Sequence, residues 1–153
     1  MAAERQESPK GDLFNTPLRI NDFVISDDEK VEIIAKHFKV IMETLGFDLS
    51  DDSLRDTPGR VAKMFVKEAF SGLNPKNRPS IRVFENTYRY SAMLIERDIT
   101  LYSYCEYHFV PILGKAHVAY FPIKKVIGLS KINRLVQYYS RRPQVQEWLT
   151  TNS

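Results

Sequence analysis

The sequence predicts an α+β fold class, in which a helical region precedes a set of strands. Apolar residues recur every three or four positions between residues 26 and 72, which is the period of an amphipathic helix. Between residues 81 and 121 the chain is instead rich in β-branched and aromatic side chains, which favour strands. The 153 residues are 27% charged and 43% hydrophobic, a composition typical of one ordinary globular domain.

Composition also excludes several classes of protein. The single cysteine, Cys105, excludes an internal disulfide framework and any zinc site with two cysteine ligands from one chain. No apolar run approaches the roughly 20 residues of a membrane helix, and the N-terminus lacks the apolar core of a secretion signal. We therefore expect a cytoplasmic protein that does not bind membranes. A net charge of +3 is too small to indicate a nucleic-acid partner.

The first helix is predicted to begin at Ser26, after a flexible N-terminal arm over residues 1–25. Ser26 and Glu29 have the spacing of a capping box, and Gly46 is placed to end the helix. Five apolar residues follow at alternating spacings of three and four and form one stripe: Val31, Ile34, Phe38, Ile41 and Leu45. The helical region as a whole is expected to span residues 26–78.

A second helix is predicted to begin at Thr57 and Pro58, a capping residue followed by a proline in the first turn. Gly72 is placed to end it. Four residues are expected to form its buried face: Val61, Met64, Phe65 and Ala69.

Four strands are predicted over residues 81–90, 93–104, 109–112 and 116–121. Leu113-Gly114-Lys115 would form a hairpin turn between the last two, and Pro111 indicates an edge or a bulge. A third helix is predicted from about residue 130 to 142. Pro143 would end it, and residues 144–149 would begin another helix.

The first candidate for chemistry is the pair Cys105 and His108. A thiolate and an imidazole separated by two residues can reach one Zn²⁺ from a single turn. Two ligands do not hold zinc, so the alternative is that Cys105 is simply a small buried hydrophobe. His117 is a possible third ligand, although its place in an alternating strand favours a satisfied core or surface histidine. His37 lies beside the apolar stripe of the first helix and is read as a packing residue.

The second candidate is a basic stretch at the third helix. It holds six basic residues and no acidic one: Lys124, Lys125, Lys131, Arg134, Arg141 and Arg142. Ser130, Lys131 and Arg134 lie at the start of the helix, where free backbone N–H groups favour a phosphate. Gly128 would let the backbone approach such a ligand closely. A solvated basic helix face is the alternative.

The third candidate is Gln146-Glu147. A carboxylate beside an amide can accept from the N1–H and the exocyclic amine of guanine. An ordinary exposed helix start is the alternative. Together with the basic stretch, this pair would suit a nucleotide with a triphosphate at one end and a purine at the other.

These motifs resemble the GTP cyclohydrolase I family. The matching segments run in order along the chain, over residues 56–64, 71–73, 97–99, 105–111, 114–120, 126–134 and 142–147. The resemblance implies the tunnelling fold, a four-stranded antiparallel sheet with two helices on one face, here as a partial catalytic domain over residues 79–153. It also implies homo-oligomeric rings, typically decamers, with active sites between subunits.

The resemblance further implies an activity and a set of site residues. The family converts GTP and water into formate and 7,8-dihydroneopterin triphosphate, the first step of tetrahydrofolate and pterin biosynthesis, and uses Zn²⁺ to do so. Cys105 and His108 would be zinc ligands. The substrate-binding residues carried over by position are Ser130, Lys131 and Arg134 for the triphosphate, Arg60 and Lys63 as helpers, and Gln146 and Glu147 for guanine.

The sequence departs from the family pattern at two places. Tyr107 occupies the position of a histidine that donates a proton to the purine ring, and tyrosine is the poorer acid at neutral pH. The family also continues past Glu147, with a third zinc ligand and two more strands. We therefore expect a domain that is incomplete at its C-terminus, with an unpaired strand edge and an exposed apolar helix face.

The departures leave more than one function open. The chain is either a GTP cyclohydrolase I or a shortened, catalytically inactive family member that at most associates with full-length subunits. A different tunnelling-fold enzyme acting on another purine or pterin is a third possibility. A nucleic-acid-binding module is disfavoured, because the segment from residue 26 to 56 has nine acidic and four basic residues.

Overall fold

The computed structural model describes residues 25–145, so the predictions for the N-terminal arm and for Gln146 and Glu147 lie outside the described residues. The three α-helices are α1 (Asp27–Thr44), α2 (Thr57–Met64) and α3 (Leu129–Ser140). After α2 the chain continues through a short π-helix, Phe65–Ala69, and two 3₁₀ turns, Ser71–Leu73 and Pro75–Asn77. None of the described helices is both long enough and apolar enough to cross a membrane.

Five strands form two small sheets. The strands are β1 (Val83–Glu85), β2 (Leu94–Cys105), β3 (Pro111–Tyr120), β4 (Lys125–Ile127) and β5 (Pro143–Gln144). β1 pairs with β4, and the larger sheet has the order β3-β2-β5. The β2–β3 pair is antiparallel and the short β2–β5 pair is parallel. The architecture therefore combines helices and strands, as predicted, while the four-stranded tunnelling sheet stays a prediction.

The predicted start of α1 is confirmed. The Glu29 amide donates to Ser26 Oγ over 3.2 Å, and the Ser26 amide donates to the Glu29 carboxylate over 2.8 Å. These bonds favour the ionised carboxylate and lower the pKa of Glu29. At the other end Gly46 has a φ of 89°, a left-handed conformation that glycine adopts without strain.

The predicted stripe of α1 is only partly covered. Val31, Ile34 and Phe38 are half-buried, whereas Leu45, at the end of the stripe, is 70% exposed. α1 thus leaves part of its apolar stripe exposed in the isolated chain, whereas the exposed apolar helix face expected from the absent strands of the sheet stays a prediction.

α2 begins at Thr57, as predicted, with Asp56 as a cap residue that makes no side-chain hydrogen bond and with Pro58 in its first turn. The α-helical hydrogen bonding stops at Met64, eight residues before the predicted end. Gly72 lies in the 3₁₀ turn that follows, so it does not end α2 directly.

The predicted hairpin turn at residues 113–115 is wrong. β3 runs without interruption from Pro111 to Tyr120, and Gly114 pairs with Leu101 of β2 in the middle of the ladder. The turn between β2 and β3 instead covers residues 106–110, where Phe109 has a φ of 54°. Gly114 resembled a turn residue because glycine is common in turns, but strand pairing overrode that local preference.

Two further boundaries differ from the prediction. The strand predicted over residues 81–90 is limited to β1, because the Asn86 side chain both donates to the Tyr90 carbonyl and accepts from the Tyr90 amide, each over 2.9 Å. These bonds fold the chain into a turn. Pro143 and Gln144 form β5 rather than the start of a helix, because they pair with Tyr104 and Cys105 at the end of β2.

The core lies between β2, α3 and the turns after α2. Ile99 and Ser103 of β2 are buried beneath α3, whereas Thr100 and Tyr102, which point to the opposite face, are exposed. This alternation indicates that the chain covers one face of the β2–β3 sheet and leaves the other open.

Candidate functional site

The turn between β2 and β3 brings Cys105 and His108 together. Cys105 is the last residue of β2, and its carbonyl accepts from the Phe109 amide over 2.8 Å while its amide donates to the Val110 carbonyl over 2.9 Å. These two backbone bonds close the turn. They place Cys105 Sγ 4.0 Å from His108 Nδ1, with the thiol half-buried and the imidazole exposed.

The separation of the pair is close to the one that zinc requires. A tetrahedral Zn²⁺ at ordinary ligand distances holds a sulfur and a nitrogen about 3.6 Å apart, so a shift of a few tenths of an ångström would let both atoms bind one ion. Within residues 25–145 no group of three or more histidine, cysteine, aspartate or glutamate side chains is placed to hold a metal. The described residues therefore offer two possible metal ligands, fewer than a zinc site needs.

His117 is not the third ligand of this pair. It lies on β3 opposite the irregular step of β2 between Glu96 and Ile99, at the far end of the strands from the turn. Its Nδ1 accepts from the Asp98 amide over 3.1 Å, where Asp98 has a φ of 58°. Lys115 binds the Asp98 carboxylate over 3.1 Å. His117 thus stabilises the bulge, which is the alternative that the sequence left open.

Tyr107 lies between the two candidate ligands in the turn. Its side chain is 72% exposed, and its ring contacts the His108 imidazole edge-on with a centroid separation of 6.5 Å. The phenol is therefore beside the candidate metal site and open to a ligand that binds there.

β5 connects this turn to the end of α3. The Glu106 amide donates to the Gln144 carbonyl over 3.1 Å, and Gln144 Nε2 donates to the Tyr139 carbonyl over 2.9 Å. Gln144 is buried. β5 therefore places Gln144 beside Cys105.

The start of α3 has few side chains around it. Its cap residue is Gly128, which has no side chain to occupy the first turn, and Ser130 is exposed there. The Lys131 amide donates to the Gly128 carbonyl over 2.8 Å, whereas within residues 25–145 the amides of Leu129 and Ser130 have no hydrogen-bond partner. The first amides of a helix carry the positive end of its dipole, and the half-buried Lys131 adds a positive charge in the same turn.

Arg134 extends from α3 into a cleft of about 340 Å³. The cleft lies between α3 and the turns that follow α2. Arg60 and Lys63, the predicted helpers, are exposed on α2 and do not line it, and Arg60 pairs with Asp56 over 3.5 Å. Within the described chain the structure thus brings Arg134, but not these two residues, to the cleft.

Arg142, one of the six residues of the predicted basic surface, is buried instead. Its guanidinium lies 5.0 and 5.1 Å from the ring centroids of Tyr138 and Tyr139, and its Nε donates to the Gly72 carbonyl over 2.8 Å. Ser103 Oγ donates to the Arg142 carbonyl over 3.2 Å. Through its side chain and its carbonyl, Arg142 thus joins the turn at Gly72, the end of α3 and β2. These contacts lie far apart in the sequence, so a local sequence pattern does not reveal them.

Gly72 completes this junction, and its role also escaped the sequence analysis. The Gly72 amide donates to the Arg141 carbonyl over 3.0 Å. A Cβ atom at this position would lie 2.1 Å from the Tyr138 carbonyl oxygen, so only glycine allows the turn to approach α3 this closely. In the sequence, the position of Gly72 before a loop that contains proline and asparagine predicts the end of a helix. It does not indicate a packing contact.

Comparison with known proteins identifies the family of this chain. The profile of the GTP cyclohydrolase I family matches residues 34–152. The chain is 58% identical over 134 residues to GTP cyclohydrolase 1 of Flavobacterium johnsoniae, a match covering 88% of this chain and 60% of the relative. It is 56% identical over 135 residues to the enzyme named GTP cyclohydrolase 1 of Aeromonas salmonicida, covering 88% of this chain and 61% of that one.

The fold and the site define a mixed α/β protein with a Cys/His pair on a hairpin turn and a basic helix beside it. The chain belongs to the GTP cyclohydrolase I family. It spans about three fifths of the length of the curated relatives it matches.

Proposed function

We propose that this chain forms the GTP-binding part of a GTP cyclohydrolase I, which converts GTP and water into formate and 7,8-dihydroneopterin triphosphate. One observation supports this proposal above the others. The turn that carries Cys105 and His108 is joined through β5 to the C-terminal end of α3, so the candidate metal pair and the helix that carries the candidate phosphate residues belong to one connected unit.

The triphosphate is proposed to bind at the start of α3. The exposed hydroxyl of Ser130 and the open amides of the first turn donate hydrogen bonds to phosphate oxygens. Lys131 and Arg134 add positive charge, and the guanidinium of Arg134 can bind two oxygens at once. Arg60 and Lys63 are proposed to act on the same phosphates from α2. Gln146 and Glu147 are proposed to bind guanine.

Zn²⁺ is the proposed cofactor, and Cys105 and His108 are its proposed ligands in this chain. Their 4.0 Å separation and their thiol and imidazole chemistry fit the ion. A bound Zn²⁺ supplies hydroxide near neutral pH. A further ligand must come from outside the described residues, since none of them completes the site.

Tyr107 is proposed to take the position of the proton donor. Its phenol lies beside the candidate metal site and can donate a proton through its O–H. A phenol gives up its proton less readily than an imidazolium at neutral pH. We therefore expect a rate about 10²–10⁴-fold below that of a histidine-containing site.

The architecture of the whole protein is also a proposal. We propose the tunnelling fold, assembly into homo-oligomeric rings such as decamers, and a cytoplasmic location. The exposed apolar residues of α1, among them Val40 and Leu45, support assembly because a second subunit would cover them.

Tyr107 and the two-ligand metal pair also favour a second candidate function. In that case the chain binds GTP and associates with full-length subunits but does not turn the nucleotide over. The two candidates share the phosphate site and differ only in chemistry at the Cys105 turn.

The purified chain is to be incubated with GTP and Zn²⁺, and fluorescent neopterin measured after oxidation. Product above a control with metal and no protein supports the enzyme. GTP binding without product supports the inactive family member, and absence of GTP binding contradicts both. Tyr107→His separates the two causes of inactivity, because it restores product only where the proton donor is the main defect.

A further inference from the structure

The cleft beside α3 carries basic side chains that the proposed function leaves without a role. Arg134, Arg141 and Lys67 line it, together with the hydroxyl of Ser71 and the amide side chains of Asn77 and Gln137. Only Arg134 belongs to the residues proposed for GTP. Among residues 25–145, no carboxylate side chain lines the cleft.

Arg134 lies in α3, and Arg141 is the residue that caps the C-terminal end of this helix. They are seven residues apart, which is two helical turns and about 10 Å along the axis. Ser130 precedes Arg134 by four residues and lies within about 40° of the same face. Ser130, Arg134 and Arg141 therefore form a row that leads from the open first turn of the helix into the cleft.

The positive charge of this row is available to a ligand. Among residues 25–145, no carboxylate lies within ion-pair distance of Arg134 or Arg141. Lys67 Nζ binds Asp28 over 2.8 Å, which raises the pKa of Lys67 and keeps its amine protonated. Because both partners of that pair are exposed, the bond is weak enough for a phosphate oxygen to join or replace it.

The walls of the cleft are fixed before any ligand binds. Ser71 and Tyr138 are buried at its base, with 8% and 7% of their surfaces exposed. Asn77 Nδ2 donates to the Ser71 carbonyl over 2.9 Å and holds the second wall in place. The contact between Arg142 and Gly72 joins both walls. A site built in this way loses little conformational entropy on binding.

We propose that the cleft binds the distal phosphates of a polyphosphate, with Arg141 and Lys67 as the contacts beyond Arg134. A row of guanidinium groups spread over two helical turns suits several linked phosphates better than one. The inference rests on the proposed function only for the source of the ligand, which is either the triphosphate of GTP or a separate polyphosphate.

The test uses isothermal titration of the full chain, without added metal, with tripolyphosphate, inorganic phosphate, GTP and guanosine. We expect tripolyphosphate to bind more tightly than phosphate. Arg141→Gln is expected to weaken tripolyphosphate binding about ten-fold, as for the loss of a hydrogen bond to a charged group. Arg82→Gln removes the same charge from an exposed arginine outside the cleft and is expected to change binding less than two-fold.

The outcomes separate this inference from the proposed function. Equal affinities of Arg141→Gln and Arg82→Gln for tripolyphosphate would overturn the cleft site. GTP binding that Arg134→Gln weakens, together with tripolyphosphate binding that Arg141→Gln leaves unchanged, would overturn the cleft site while the proposed function stands. Tripolyphosphate binding that requires Arg141 but that GTP does not displace would support the cleft and assign it to a separate polyphosphate. Displacement by GTP, but not guanosine, would assign it to the nucleotide.

Discussion

The two ends of the candidate site are built in different ways. At the phosphate end, α3, β2 and the turn at Gly72 are joined by buried contacts between segments far apart in the chain. At the metal end, Cys105 and His108 lie on a hairpin turn closed by two local backbone bonds, and the imidazole is exposed. The comparison teaches that residues 25–145 preform the proposed anion-binding surface but supply only two of the proposed metal ligands.

The largest effect is expected from a change at the buried junction. Gly72→Ala would place a Cβ atom 2.1 Å from the Tyr138 carbonyl oxygen and 2.7 Å from that of Arg141. The turn would have to move away from α3 and break the bond from Arg142. We expect the free energy of unfolding to fall by about 3 kcal/mol, measured by urea denaturation.

Gly114→Ala is the matched control, because nothing lies within 4 Å of a Cβ atom at that position in β3. It should change stability by less than about 0.5 kcal/mol. Equal stabilities of the two variants would show that the junction at Gly72 does not hold the phosphate end together.

The next largest effect is expected at the metal end. Cys105→Ala removes the thiolate and should weaken Zn²⁺ binding by about 10²-fold, measured by competition with a chromophoric chelator. His37→Ala, which removes an exposed histidine of α1, should leave zinc affinity unchanged. A zinc affinity that both substitutions alter equally would mean that the metal binds outside the turn.

A smaller effect is expected from the pair that joins α1 to the π-helix. The Lys67 amine beside Asp28 lowers the pKa of that carboxyl below its ordinary value of 3.8. The folded state therefore favours the ionised form, and this stabilisation is present above about pH 4 and is lost as the pH falls through the lowered pKa.

Asp28→Asn should lower the Tm at pH 7 by no more than about 2 °C, because the pair is exposed. The difference from the unsubstituted chain should shrink below pH 4, where Asp28 becomes protonated in both folded and unfolded states. Thermal unfolding followed by circular dichroism at pH 3 and pH 7 measures this Tm difference. A Tm difference that is larger at pH 3 than at pH 7 would contradict the prediction.

Local signals allowed much of the fold to be predicted from the sequence. The capping box at Ser26 and Glu29 and the proline in the first turn of α2 involve neighbours within four residues, and both helix starts were confirmed. The same local view failed at Gly114, where pairing with Leu101 kept the chain extended. It also failed at Pro143 and Gln144, whose conformation is set by the end of β2.

In the candidate site too, features set by neighbouring residues could be predicted, whereas features set by contacts far apart in the chain could not. Cys105 and His108 were predicted from a spacing of three, and the turn does bring them together. The contact from Arg142 to Gly72 spans 70 residues and leaves no local trace in the sequence. The spacing of seven between Arg134 and Arg141 was a readable signal of a shared helix face, whereas the approach of Lys67 depended on tertiary packing alone.

The central claim is that the chain binds GTP through its phosphates at α3, independently of metal. Isothermal titration with GTP in the presence of EDTA, for the unsubstituted chain and for Arg134→Gln, tests it most directly. The account predicts binding without metal and an affinity about ten-fold lower for the variant. Binding that requires Zn²⁺, or an affinity that Arg134→Gln does not change, would contradict it.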